Sequence, residues 1–197
     1  MLRIDFFVYS RAAPSAADVD DPALNEEHWA YMDRFADGMV ARGPTLSADR
    51  SSWTGSLHIV DLPSADAAHE FVEREPYNSA GLFRDHVIRR FTNLLGRTMW
   101  GYPGESADPR FLVIAHRRPG ADTDLSMPQV AVTALPRERL ILHGELLTPH
   151  DGTPVGVALA LSAPTRQAVA DLLASGQAEL DERFDIEILD WEFGGRR

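Results

Sequence analysis

A chain of 197 residues with 44% apolar and 25% charged residues is long enough to bury one sizeable core or two small ones and reads as globular. A net charge of −11 removes the cationic footprint on which nucleic-acid binding draws, and no run approaches the roughly 18 apolar residues of a membrane span. There is no cysteine and no lysine, so disulfides, thiolate catalysis, Cys-ligated metal centres, Schiff-base chemistry and a P-loop lysine are all excluded.

The N-terminus enters an alternating strand and not a signal sequence, so the expected setting is cytoplasmic, with neither nucleic acid nor membrane as partner. From Met1 to Ser10, Ile4, Phe6 and Val8 alternate with Arg3, Asp5 and Phe7. After a polar loop, either Asp21-Pro22 or Asn25 can start a helix that runs from Glu26 to Val40 and closes at Ala41-Arg42-Gly43-Pro44. At about 100° per residue, Trp29, Met32, Phe35, Ala36, Met39 and Val40 form one apolar arc, with His28 at its edge. Thr45-Leu46-Ser47 reads as a short strand and Gly55 to Leu62 as a longer one. Ser64 caps a helix through Arg74 that buries Ala67, Ala68, Phe71 and Val72 and leaves His69 on the surface. The strand His86 to Leu94 completes the split βαβ order of a ferredoxin-like domain.

Gly96 to Pro109, rich in glycine, proline and charge, reads as a linker, after which the pattern returns. Arg110 to His116 is again an apolar strand. Gly43 and Gly55 recur as Gly144 and Gly156, an offset of 101 residues that continues without gaps to pair Leu46 with Leu147, Pro63 with Pro164, and Phe71 with Leu172. The strand Phe184 to Phe193 closes the second copy. Its first helix is interrupted at Met127-Pro128 and Pro136, and it has no counterpart of the segment Glu75 to Leu82. The expected organisation is a ferredoxin-like domain over residues 1–96, a linker over 97–109, and a degenerate second copy over 110–197. A sheet of this kind has one face bare of helices, so the two sheets pack face to face or share edges.

Several landmarks of the first copy are ordered as in a known family. They are a His in the first helix (His28), a Gly43-Pro44 step, a strand opening at Gly55, a helix reading Ala67-Ala68-His69-Glu70-Phe71, and an acidic-Pro-aromatic turn, Glu75-Pro76-Tyr77, leading to Ala80-Gly81-Leu82. Over residues 1–96 the chain resembles the YciI-like (YCII-related) family of the dimeric α+β barrel superfamily. The resemblance implies an α+β fold in which tandem ferredoxin-like repeats make an intrachain pseudo-dimer with antiparallel sheets, free to be monomeric or to pair again as a homodimer. It also implies cofactor-free lyase-like chemistry with a His paired to an Asp. His28 matches the family His, and Glu75 stands where the family has Asp, which moves the carboxylate outward by about 1.5 Å.

For His28 two readings stand side by side: a core imidazole needing only a hydrogen-bond partner, or a general acid/base oriented by Glu75. Trp29, Tyr31, Trp53 and Tyr77 wall an aromatic substrate pocket or simply pack in the core. His58 points into the barrel or beneath a helix, and in the first case adds a second polar group for a ligand. Arg89 and Arg90 face opposite ways, as an anion site or as a solvated edge. His143, Glu145 and His150-Asp151 have the residue types of a two-His, one-carboxylate site, but the reach of His150 is undefined and no metal or cofactor is expected. No serine nucleophile elbow, zincin helix or dinucleotide glycine fingerprint is present. The leading expectation is a cofactor-independent lyase or isomerase of specialised metabolism, acting on an aromatic or polyketide-like small molecule by His-mediated proton transfer. A non-catalytic binding or scaffold protein, and a cofactor-free oxygenase, are the alternatives.

Overall fold

A computed structural model describes residues 4–16, 21–104, 107–120, 137–174 and 183–195. The interrupted helix expected around Met127-Pro128 and Pro136 falls outside them. The first half contains β1 (Ile4–Ala12), α1 (Pro22–Asp33), β2 (Met39–Leu46), β3 (Trp53–Leu62), α2 (Ala65–Glu73), the single turn α3 (Pro76–Ser79) and β4 (Phe83–Asn93). The second contains β5 (Arg110–Arg117), β6 (Leu140–Leu147), β7 (Pro154–Ser162), α4 (Arg166–Ala174) and β8 (Phe184–Trp191). Among the described residues no helix is long and apolar enough to cross a membrane.

The strands close into one antiparallel barrel in the order β1-β3-β2-β8-β5-β7-β6-β4. Each half contributes the same four-strand order, β4-β1-β3-β2 and β8-β5-β7-β6, which is the ferredoxin-like arrangement twice over. The two sheets therefore share edges, β2 with β8 and β6 with β4. Of the two packings the sequence allows, this one leaves no exposed strand edge.

Both faces of these strands are buried, which follows from an alternation that is apolar on both sides. Phe7, Tyr9, Leu57, Ile59, Phe91, Leu112, Ile114 and Trp191 fill the barrel interior. Phe6, Val8, Met39 and Val60 point outward under α1 and α2, where Met32, Phe71 and Val72 cover them. Phe111, Val113, Leu159 and Leu161 do the same beneath Val169 of α4. With eight strands, the interior is just wide enough for side chains to fill it.

Helix α1 departs from its expected length and rotation. Asp21 caps it, accepting from the Ala23 and Leu24 amides at 3.0 and 3.1 Å, with Pro22 at the first helical position. It ends at Asp33, and a 3-10 turn at Ala36–Gly38 leads into β2 at Met39. Gly43-Pro44 consequently lies inside a strand and does not stop a helix. Met39 and Val40, counted on the helical wheel, biased the arc toward Trp29. Without them the inward face is Leu24, His28, Tyr31, Met32 and Phe35, while Trp29 is 44% exposed.

The two seams between the halves are related by the internal repeat. At one, Thr45 pairs with Trp191, and Gly194 donates to the Arg42 carbonyl at 2.8 Å. At the other, Leu146 pairs with Phe91, and Leu94 donates to the His143 carbonyl at 2.9 Å. Gly43 and Gly144 occupy equivalent places where the opposite strand passes close. A Cβ on Gly43 would lie 1.9 Å from the Glu192 carbonyl oxygen, and one on Gly144 would lie 2.5 Å from that of Thr92. The glycines that revealed the repeat are thus the two points at which the halves are fastened.

Candidate functional site

A pocket of about 280 Å³ lies outside the barrel, between α1 and the outer face of β2 and β3. Helix α1 contributes Asn25, His28 and the exposed Trp29; β3 contributes Trp53, Ser56 and His58; α3 contributes Tyr77. On the sheet, Arg42 is in register with His58 and Pro44 with Ser56, so these four side chains share the outward face.

His28 is held from two sides. Its Nδ1–H donates to Glu75 Oε1 at 2.5 Å, and its ring stacks on Tyr77 with centroids 4.2 Å apart and planes 7° from parallel. Glu75 is 3% exposed and caps α3, its Oε2 accepting from the Asn78 amide at 2.9 Å. One carboxylate thus starts a helix and orients an imidazole, and the longer arm of glutamate lets it reach both. With Nδ1 committed to the carboxylate, Nε2 is the nitrogen left to act on a ligand.

The support around this pair is equally specific. Tyr77 donates its hydroxyl to Asn25 Oδ1 at 2.7 Å, and burial followed by the nearby Glu75 carboxylate pushes the phenol up to about 12, so it stays a donor. His86 fixes α3 from behind: its Nε2–H donates to Asn78 Oδ1 at 3.0 Å, and its Nδ1 accepts from the Ser10 hydroxyl at 2.9 Å. Burial lowers the pKa of His86, in keeping with that neutral tautomer.

His58 corrects a premise. Its side chain points toward the helix layer and not into the barrel, whose interior takes Leu57 and Ile59 instead, yet it lines the same pocket, its ring centroid 6.0 Å from that of His28. Burial lowers its pKa well below the ordinary value of 6.5, with His28 and Arg42 adding to the effect. The unfolded chain therefore takes up a proton at this histidine first. The stability His58 confers as a neutral group is fully present above about pH 6.5 and is lost as pH falls below it. Urea unfolding at pH 7.5 and 5.5 is expected to show this loss. His58→Leu, which copies Leu159 of the second half, should make the decline shallower; parallel declines in the two proteins would remove His58 as its source.

Of the residues the sequence singles out, the structure brings together His28, Glu75, Trp29, Trp53, His58 and Tyr77. Tyr31 it places elsewhere, in the core under α1 with its hydroxyl donating to the Phe71 carbonyl at 2.9 Å. Arg89 turns into the barrel beside Phe7, and Arg90 turns outward, its Nε donating to the Pro149 carbonyl at 2.7 Å. Among the described residues no three His, Cys, Asp or Glu side chains are grouped to hold a metal. The sequence reading missed Asn25, Arg42 and the C-terminal Gly194-Gly195, all on the pocket wall. The parity of Arg42 with Pro44 would have pointed to it, had 39–46 been read as a strand.

In the second half three of these positions are apolar, since the 101-residue offset places Leu159 at His58, Val157 at Ser56 and Pro154 at Trp53, whereas His143 stands at Arg42 and Glu145 at Pro44.

The YCII-related domain family matches residues 4–92. The first repeat belongs to the YCII-related family. That match takes in α1, α3 and every strand of the first half, and with them both members of the His28–Glu75 pair. No curated protein matches the chain. Among solved structures, the chain is similar over part of its length to a 5-chloro-2-hydroxyhydroquinone dehydrochlorinase from Burkholderia phenoliruptrix, in complex with 2,5-dihydroxybenzoquinone. The identity there is 28%, over 47% of this chain and 98% of that one, with a TM-score of 0.38. Two further structures follow both halves. One is of a proposed monooxygenase from Fusobacterium nucleatum, 9% identical over 98% of this chain and 94% of that one, TM-score 0.54. The other is of a protein proposed as a chlorite dismutase, 11% identical over 98% and 96%, TM-score 0.57. At these identities they establish the fold, an α+β barrel built by two ferredoxin-like repeats.

Proposed function

We propose that the pocket binds a planar aromatic or quinol-like small molecule and that His28 moves a proton on it, making the protein a cofactor-independent lyase or isomerase. The observation that carries this reading is the 2.5 Å contact from His28 Nδ1 to a buried Glu75 carboxylate at the wall of an aromatic-lined pocket. The carboxylate selects the tautomer, steadies the ring and favours the imidazolium that forms when Nε2 takes a proton. Trp53 and Tyr77, 5.6 Å apart between centroids, give a flat ligand apolar surface, and Trp29 stands at the opening.

In the isomerase form, Nε2 removes a proton from an acidic carbon, the electron pair delocalises into a carbonyl or ring, and the same proton is returned at another atom. In the lyase form, that pair expels a leaving group as its anion. Neither needs an external oxidant.

Solvent exchange tests the proton transfer without knowledge of the product. In D2O, wild-type protein incubated with a panel of hydroquinones, hydroxybenzoquinones and cyclic 1,3-diketones is expected to accelerate loss of carbon-bound protons from some members, read by NMR. Saturable binding with no acceleration for any member would instead identify a binding protein.

A further inference from the structure

One buried side chain of the pocket takes no part in the fold's hydrogen bonding. His58 stands in the middle of β3 and is 3% exposed, yet among the described residues its imidazole neither donates nor accepts a hydrogen bond. Polar side chains around it are engaged: His28 with Glu75, Tyr77 with Asn25, and Ser56 with the Trp53 indole at 3.3 Å. A buried polar group without a partner costs stability, so such groups are rare unless a further molecule takes up the bond.

The repeat shows that the fold does not require a polar group at this place. The equivalent outward position of β7 is the buried Leu159, which packs with Val169 of α4. At His58, Phe71 of α2 backs the ring edge-to-face with centroids 5.7 Å apart, while the pocket opens beside it. Burial keeps the imidazole neutral, which leaves it one N–H to donate.

The distance to His28 limits what can use that N–H. The two ring centroids are 6.0 Å apart, with planes inclined by 58°. Each ring nitrogen reaches about 3 Å, so a ligand carbon and an oxygen two bonds away can meet one imidazole each. A ketone or quinone with an acidic C–H beside its carbonyl has that arrangement.

We propose that His58 is a second catalytic residue, whose ring N–H binds the carbonyl oxygen of the ligand while His28 Nε2 takes the proton from the neighbouring carbon. This rests on the proton-transfer reading of the same pocket and narrows its substrates to enolisable ketones and quinone-like rings. As the C–H bond breaks, its electron pair forms the C=C bond of an enolate and the carbonyl pair moves onto oxygen, where the His58 N–H is already in place. The proton then passes from His28 to another atom of the ligand, so nothing else is consumed. A neutral donor suits this task, because a cation at His58 would oppose the positive charge that His28 has to gain.

The test uses 2-tetralone and tetralin, which differ only in a carbonyl oxygen that accepts and cannot donate. In equilibrium dialysis at pH 7.5, the ratio of ketone to hydrocarbon affinity is expected to fall about 5- to 10-fold from wild type to His58→Leu. Exchange of the benzylic protons beside the carbonyl in D2O, read by NMR, should fall about 10²- to 10³-fold in the same variant. His58→Gln should restore part of both, since its amide also donates; thermal melts confirm that each variant is folded. An affinity ratio unchanged in His58→Leu would overturn the proposal and leave the proton transfer by His28 standing. A ratio that falls in a protein that exchanges no ketone would remove the proton-transfer roles of both histidines and leave His58 a binding residue. If wild type bound neither probe and exchanged no member of the panel, both readings would fall together.

Discussion

His28→Gln abolishes carbon–proton exchange in any ligand the wild-type protein turns over, by about 10²- to 10⁴-fold, while leaving the fold intact. Glutamine is of similar length, and its amide can still donate to Glu75 Oε1, so the buried carboxylate keeps a partner and the stability loss stays near 1 kcal/mol. What disappears is a basic nitrogen at the position of Nε2. Parallel ligand titrations sharpen the result: affinity for an unreactive aromatic should change by only a few fold, since Trp53 and Tyr77 remain. A variant that binds and exchanges like wild type would show that another group moves the proton, and His58, 6.0 Å away, would be examined next.

Gly43→Ala is expected to have the largest effect on stability, more than about 4 kcal/mol. The new methyl group would lie 1.9 Å from the Glu192 carbonyl oxygen and 2.8 Å from the Gly194 nitrogen, both main-chain atoms with no rotamer to yield. The seam has little to spare, because its ladder consists of Thr45 with Trp191 and Leu46 with Asp190 before the C-terminal segment takes over. Parting it uncovers Trp191, among the largest fully buried side chains in the barrel. Urea unfolding reads the loss, and intact cooperativity with a shift below 1 kcal/mol would refute the close approach. Gly81→Ala provides the contrast: that glycine has φ +73° and open space around it, so the cost is conformational only, roughly 1 kcal/mol.

The seam glycines also show how far the sequence could be read. A 12-residue spacing repeated at an offset of 101 pointed to a second copy of the strand pattern, because turn residues and close approaches constrain spacing more tightly than identity, but it left open whether the two sheets pack face to face or share edges. It could not locate the end of α1. Met39 and Val40 fit a helical stripe and a strand equally well, and a 3-10 turn at Ala36–Gly38 carries no cap to mark the change. Extending the helix to Val40 shortened β2, hid the outward parity of Arg42 and set Trp29 in the buried arc, whereas Tyr31 is the buried residue and Trp29 stands at the pocket. His58 was ambiguous for a different reason. When both faces of a strand are buried, alternation tells which residues share a face but not which face is the interior. The Glu75 carboxylate and its orienting of His28 were legible from the resemblance at Glu75-Pro76-Tyr77, whereas its second duty as the cap of α3 was not.

The two seams carry a consequence for how such a protein can change. In a barrel made by two identical chains, every substitution appears twice, and a residue that helps one junction must be tolerated at the other. Joining the halves in one chain removes that restriction. Here one junction has Leu94-Leu95 and the other Gly194-Gly195; one outward strand position is Leu159 and its counterpart is His58. The half without the pocket can be improved as support, with larger apolar residues and a sealed edge, while its partner keeps a hollow, polar pocket. Covalent linkage thereby lets rigidity and reactivity be assigned to different stretches of one polypeptide, at one potential site per chain in place of two.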